Sequence, residues 1–282
     1  MKLHIISDIH LEYYAKISTL EELENKIPSL YETCSKETKD IILILAGDIG
    51  YITMNNYWKF LQDCSEKYKY VICITGNHEY YSIKNRKYDF DKLRLEKISV
   101  CENKIYNFDE LESMAMTRSK DIKNLYYLLD DKITLDGITF IGTTMWSHIP
   151  NHVKMIISTR VNDYNCIYTN NKLITTEFIN EIHDKQTKYI LENITDNCVV
   201  ITHHLPRQEL IHEKYYPYED VNTSIMATSL PEAIFDKRIK LWICGHTHTH
   251  MECKYNDISF IANPMGYYKE NPNPHIVELE IN

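Results

Sequence analysis

The run "DIILILAGD", Asp40 to Asp48, decides the fold. Its apolar residues follow one another with no polar alternation, which predicts a strand covered on both faces. The run stops abruptly at Gly47-Asp48, so a buried strand delivers a carboxylate at its end. Two neighbouring stretches read the same way. "KLHIIS" (Lys2 to Ser7) is a buried strand ending in a polar turn, and "YVICITGNHE" (Tyr70 to Glu79) is another that breaks at Gly76. Between them lie helical spacings. Thr19 to Glu37 puts Leu20, Leu23, Ile27 and Leu30 on one face, and Asn56 to Lys67 is the second. This β-α-β-α-β order predicts parallel strands joined by helical crossovers, hence an α/β fold.

Farther along, Asp89 to Met116 predicts helix in pieces, and Leu125 to Trp146 predicts short strands with a hairpin turn at Asp136-Gly137. Asn151 to Asn171 has no clear period. Thr176 to Asn193 is a helix that Thr175 or Thr176 can cap. Strands resume with "CVVITHH", "KLWICGH", "THMECKY", "ISFIAN" and "HIVELEI". With no internal repeat or low-complexity linker, residues 1–282 are expected to form one domain, with a loop-rich insertion near 205–231.

Composition narrows the function. The net charge of −9 makes a nucleic-acid polymer an unexpected partner. No apolar run reaches membrane-spanning length. An apolar strand already begins at residue 3, so no signal peptide is expected. None of the eight cysteines forms a CxxC pair, which argues against a structural zinc site. Reduced thiols in a cytoplasmic or other reducing compartment are expected.

The chemistry gathers at strand ends. The first strand gives Asp8 and His10, the second Asp48, and the third Asn77, His78 and Glu79. Late strands give His203-His204, then His246, His248 and His250 in "ICGHTHTH". Extended residues two apart share a face, so these last three imidazoles are expected on one side. Glycine before Asp48, Asn77 and His246 permits sharp turns. In open α/β sheets, sites lie beyond the carboxyl ends of the strands. Carboxylates and imidazoles without thiolates suit Mn²⁺, Fe, Zn²⁺ or Co²⁺. So many donors exceed one ion and suit two that share a carboxylate.

The set D-x-H, G-D, G-N-H-E, H and G-H-x-H resembles the calcineurin-like metallophosphoesterase superfamily, from Asp8 to beyond His248. The small single-domain bacterial-type branch is the most similar, through "GTTMW", "NDY", "THHLP" and "NPMGY". The resemblance implies a four-layer α/β/β/α sandwich of two mixed sheets flanked by helices. It also implies two divalent ions, Mn²⁺ foremost, with Fe, Zn²⁺, Co²⁺ or Ni²⁺ as alternatives. Asp8, His10, Asp48 and His248 would hold the first, and Asp48, Asn77, His203 and His246 the second. Asp48 would bridge. The implied reaction is phosphate-ester hydrolysis by a metal-bridging hydroxide, with His78 protonating the leaving oxygen or stabilising the phosphate. A small-molecule or nucleotide diester is favoured over a monoester.

Tyr51, Glu79, His204, His250 and Tyr267 are candidates for substrate or supporting contacts. Tyr215, Tyr216, Tyr218 and Tyr267 could wall a pocket. "GDIGY" is similar to the purple acid phosphatase motif, whose Tyr binds iron; with His10 present, Tyr51 is expected behind the ligands. The motifs lack the arginines of the main Ser/Thr phosphatase branch. The alternatives are a scaffold protein that kept the fold and lost catalysis, or a phosphoprotein phosphatase outside that branch. Arg is frequent in similar proteins where Met265 stands, so an anion contact is missing here.

Overall fold

Ile41–Ala46 is a strand with every residue buried, as its unbroken apolar run requires. The computed structural model describes residues 1–14, 16–31, 37–82, 104–215 and 220–281. Its elements run β1 (Lys2–Ile6), α1 (Leu20–Lys26), β2 (Ile41–Ala46), α2 (Asn55–Lys67), β3 (Tyr70–Ile74), α3 (Phe108–Ser119) and β4 (Leu125–Leu128). Then come β5 (Asp131–Leu135), β6 (Ile138–Thr143), α4 (Lys154–Arg160), α5 (Asp163–Cys166), β7 (Tyr168–Thr169), β8 (Lys172–Leu173) and α6 (Thr176–Asn193). The last are β9 (Cys198–Thr202), α7 (Asp220–Met226), β10 (Ile239–Cys244), β11 (Met251–Tyr255), β12 (Ile258–Ala262) and β13 (Val277–Glu280).

Two mixed sheets result. One has the order β13-β1-β2-β3-β4, the other β11-β12-β10-β9-β6-β5. β1 through β4 pair in parallel, and β13 closes that sheet antiparallel. In the second sheet β6, β9, β10 and β12 are parallel, with β5 and β11 antiparallel at the edges. Alternation along β2 explains the layers. Ile42, Ile44 and Ala46 pack with Val199, Ile201, Leu241 and Ile243 in a core between the sheets. Ile41, Leu43 and Leu45 face the other way, into a core with Tyr57, Phe60 and Leu61 of α2 and Leu111 of α3. Val200, Trp242 and Phe260 make the outer core of the second sheet with Ile190 of α6. The order is therefore helices, sheet, sheet, helices. Each fully buried Ile or Leu on β2 contributes roughly 1.5–3 kcal/mol.

Local chemistry corrects several expectations. The first helix ends at Lys26, because Pro28 drives Ile27 out of the helical region (φ −135, ψ 79). A short 3₁₀ turn, Pro28–Tyr31, then keeps Leu30 buried. The third helix starts only at Phe108, where Asn107 and Glu110 form a capping box. The expected helical pieces from Asp89 to residue 103 lie outside the described residues. Asn151 to Asn171 becomes α4, α5 and half of the β7–β8 hairpin, which turns on left-handed Asn170 and Asn171. Asp136 and Gly137 take the same role between β5 and β6. The α6 boundaries are those predicted, with the Thr175 hydroxyl accepting from the Phe178 N–H. The described residues of 205–231 hold two 3₁₀ turns and α7, and Leu205 bridges to Ala227.

Candidate metal centre

Parallel strands end together, so the turns after β1, β2, β3, β9 and β10 converge at one end of the sheet pair. Those turns are strained. Asp8, His10, Asp48, His246 and His248 are all non-glycine residues in the left-handed region, with φ between 48 and 69. Such a conformation costs roughly 1–2 kcal/mol per residue and marks a place where surrounding structure overrides local preference. "ICGHTHTH" therefore does not continue as a strand beyond Cys244. Left-handed His246 and His248 break the expected period. His250 leaves the group altogether, with Nδ1 3.1 Å from Asn263 Oδ1 and its ring beside His275.

The glycines work differently from expectation. Of the glycines before Asp48, Asn77 and His246, only Gly47 has a positive φ. Gly76 and Gly245 are needed for close approach instead. A Cβ on Gly76 would collide with Asp48, and one on Gly245 would stand 2.8 Å from Asp8 Oδ2.

The donors meet around two buried carboxylates. Asp8 Oδ1 is 3.3 Å from His248 Nε2 and 4.0 Å from His203 Nε2. Asp48 Oδ2 is 3.3 Å from His203 Nε2, 3.9 Å from His10 Nε2 and 4.0 Å from His78 Nε2. Asp8, His10 and His248 form one group with metal-compatible spacing, and Asp48, His203 and His246 form another. Backbone donors fix both carboxylates: His246 N–H reaches Asp8, and His78 N–H donates to Asp48 Oδ1 at 2.8 Å.

The hydrogen bonds decide which nitrogen of each imidazole is left over. His203 Nδ1 donates to the Ala46 carbonyl at 2.9 Å, so its Nε2 presents a lone pair. That Nε2 is buried without a hydrogen-bond partner. His246 Nε2 donates to the Ile225 carbonyl at 3.1 Å, leaving Nδ1. His10 Nδ1 rests on Glu12 at 3.0 Å, and His248 Nδ1 on Glu270 at 2.5 Å. Their Nε2 atoms face each other at 3.1 Å, with Asp8 Oδ1 beside them at 3.3 Å from His248 Nε2, a pairing that either a proton or a shared cation satisfies. Asn77 adds an orphan: its Nδ2 donates to Asp163 Oδ1 at 2.9 Å, while its buried Oδ1 has no partner. Buried polar atoms are rarely unsatisfied. Anchoring one nitrogen and freeing the other is how proteins orient metal-binding histidines. The residues present fit divalent ions.

His78 is set apart. Its Nδ1 lies 2.7 Å from Glu12 Oε1, and its Nε2 is 3.4 Å from the Tyr267 hydroxyl. Burial opposes its charged form, but Asp48 and Glu12 outweigh that and raise its pKa to about 9. Burial would likewise raise the Glu12 carboxyl, yet His10 and His78 hold it at about 2. His246, pressed by burial and by His203, falls to about 3, which keeps it neutral.

The remaining candidates have distinct places. Glu79 is fully buried and accepts the backbone N–H groups of Asp48, Ile49 and Gly76. It ties the β2 and β3 turns together and has no surface for substrate. Tyr51 packs its ring against His78 and Tyr81, 6.1 and 6.0 Å between centroids. His204 is buried beside His246, with ring centroids 4.1 Å apart. Tyr267 is partly exposed and lies over His10 and His248. Tyr215 donates to the Thr247 carbonyl at 2.5 Å, whereas Tyr216 and Tyr218 lie outside the described residues. Met265 is buried in the helix-side core of the first sheet.

Three supporting carboxylates were not singled out from the sequence: Glu12, Asp163 and Glu270. Glu12 carried a signal, as an acidic residue in "DIHLE" directly behind a donor. Asp163 stands in "NDY". Glu270 had none, because only the fold brings it to His248.

The calcineurin-like phosphoesterase family model matches residues 1–250. The chain belongs to that family. A curated relative, uncharacterized protein L509 of Acanthamoeba polyphaga mimivirus, is 30% identical over 285 residues, covering 96% of this chain and 93% of the relative. Among solved structures, phosphopantetheinyl hydrolase (PptH) from Mycobacterium tuberculosis superposes with a TM-score of 0.68 at 15% identity, over 100% of this chain and 96% of that one. That likeness is one of fold. The shared architecture is the α/β/β/α sandwich described above. Among the described residues, no helix is long and apolar enough to cross a membrane.

Proposed function

We propose that this chain is a two-metal phosphoesterase that hydrolyses a phosphate diester of a small molecule or nucleotide. The observation that carries the reading is the convergence of buried donor atoms: His203 Nε2 and Asn77 Oδ1, both without a hydrogen-bond partner, and the facing His10 and His248 Nε2 atoms, all in the turns around Asp8 and Asp48. Asp8, His10, Asp48 and His248 would hold one ion, and Asp48, Asn77, His203 and His246 the other, with Mn²⁺ foremost. Bound there, divalent ions would supply an activated water and offset charge building at phosphorus.

The protein's own part is positioning and proton supply. His78 keeps Nδ1 on Glu12, so a proton at Nε2 is directed into the site. It can be given to the leaving oxygen, a step that contributes typically 10²–10⁴-fold. Tyr13, Tyr51, Tyr81 and Tyr267 surround His10 and His78 with aromatic rings. Lys214 reaches the edge of the site, with Nζ donating to the His248 carbonyl at 3.3 Å. A singly charged diester suits the aromatic wall better than a doubly charged monoester.

The test is Mn²⁺-dependent hydrolysis of bis-p-nitrophenyl phosphate beside p-nitrophenyl phosphate, with Asp48→Asn as the blank. Diester turnover lost in the blank supports the reading. Turnover of neither ester by the protein with two ions bound overturns it.

A further inference from the structure

We propose that Glu12 is a positioning residue that fastens the proton-donating histidine to one of the metal-binding histidines through a single carboxylate oxygen. This rests on the function proposed above and deepens it. Glu12 Oε1 lies 2.7 Å from His78 Nδ1 and 3.0 Å from His10 Nδ1. The two rings meet edge to face with centroids 4.4 Å apart. Glu12 is almost fully buried, and its second oxygen, Oε2, has no hydrogen-bond partner. That oxygen looks toward Gly50, where an added Cβ would stand at 3.5 Å.

Geometry assigns the role. A carboxylate oxygen accepts, so both imidazoles must donate Nδ1–H to it. Both are thereby fixed with Nε2 turned inward, His10 toward His248 and Asp48, His78 toward Tyr267 and Asp48. Neither histidine has another described hydrogen-bond acceptor at Nδ1. Glu12 sits on the 3₁₀ turn Leu11–Tyr13, whose N-cap is the left-handed His10. The strained turn after β1 therefore aims ligand and clamp together. Two functions that other designs could separate, holding an ion and protonating a leaving group, share one anchor here.

Two substitutions separate this from a bland structural role. Glu12→Leu removes both acceptors, and Glu12→Gln restores one amide oxygen in the same place. Calorimetric Mn²⁺ titration should show Glu12→Leu losing about 10–100-fold in affinity for one ion, as loss of an orienting partner typically does. Glu12→Gln should recover most of that loss. For aryl diesters of graded leaving-group basicity, Glu12→Leu should lose most on the most basic leaving groups, like His78→Ala. At Mn²⁺ concentrations that saturate every variant, the double variant Glu12→Leu/His78→Ala should then turn over little more slowly than His78→Ala alone, because in proton supply the two residues act as a unit. Circular dichroism melting of each variant identifies any that do not fold, and Glu12→Gln keeps the test open if Glu12→Leu is one. A folded Glu12→Leu with wild-type Mn²⁺ affinity, or losses that multiply in the double variant at saturating Mn²⁺, would overturn the proposal. If the wild type hydrolyses no diester while binding two ions, the esterase reading fails, yet the calorimetric arm still decides what Glu12 does for His10.

Discussion

The two halves of the candidate metal centre are built from similar donors but backed differently. In the half around Asp8, the imidazoles of His10 and His248 rest on the carboxylates of Glu12 and Glu270. In the half around Asp48, those of His203 and His246 rest on the backbone carbonyls of Ala46 and Ile225. A carboxylate behind an imidazole raises its basicity as a ligand and adds negative charge; a carbonyl mainly orients it. The Asp8 half should therefore hold its ion more tightly. Asp48 stands between, within 4 Å of both His203 and His10.

The largest effect should come from removing what the halves share. Asp48→Ala is expected to abolish turnover and to weaken both ions at once, measured by metal content after dialysis and by diester hydrolysis. Loss of only one ion would mean that the halves are independent and that Asp48 belongs to one of them.

Next is the asymmetry itself. Calorimetric titration of the wild type should resolve a tight and a weak step. Glu270→Gln should weaken the tight step by roughly 10–100-fold and leave the weak step nearly unchanged. If the weak step moved instead, the ranking of the halves would be inverted. Asp163→Ala probes the other half more gently. It releases the Asn77 amide, now held by Asp163 Oδ1, so that Asn77 Oδ1 is no longer oriented. A loss near the low end of that range, about 10-fold, is expected on the weak step alone.

The asymmetry was not legible in the sequence, although the donors were. The unbroken run Ile41–Ala46 and its neighbours located the strand ends, and the residue types there selected the chemistry. The backing groups depend on other information. Ala46 and Ile225 act through carbonyls, which have no sequence signature. Glu270 reaches His248 across 22 residues of chain, and Glu12 reaches His78 across 66. The reading of "GHTHTH" as an extended stripe failed because left-handed backbone at His246 and His248 resets the side-chain direction at each. The helix expected from Thr19 to Glu37 stops at Lys26 for a reason already present locally, Pro28, and residues 32–36 of it lie outside the described residues. Local rules predicted elements and candidate donors; only tertiary contacts brought each donor its backing group.

The smallest effect concerns a carboxyl that lacks the partners Glu12 has. Glu112 on α3 is partly buried and takes a hydrogen bond from the Tyr80 hydroxyl at 3.1 Å. Burial raises its pKa to about 7, with Asp130 adding to the rise and Tyr80 opposing it. Glu12, more deeply buried but flanked by two imidazoles, stays at about 2. The sign for Glu112 is destabilising. Between about 4.5 and about 7 the unfolded chain releases this proton first, so stability falls as pH rises through that window and levels off above it. Glu112→Gln cannot ionise and should flatten that decline. Allowing for partial exposure, the gain at pH 8 should be on the order of 1–2 kcal/mol, a rise in Tm of a few degrees, and little change is expected at pH 4. Diester turnover should not change, because Glu112 touches none of the donors. A pH-independent difference between the two proteins would show that Glu112 is ordinary at its site, and that burial without an imidazole partner does not set buried carboxyls apart in this fold.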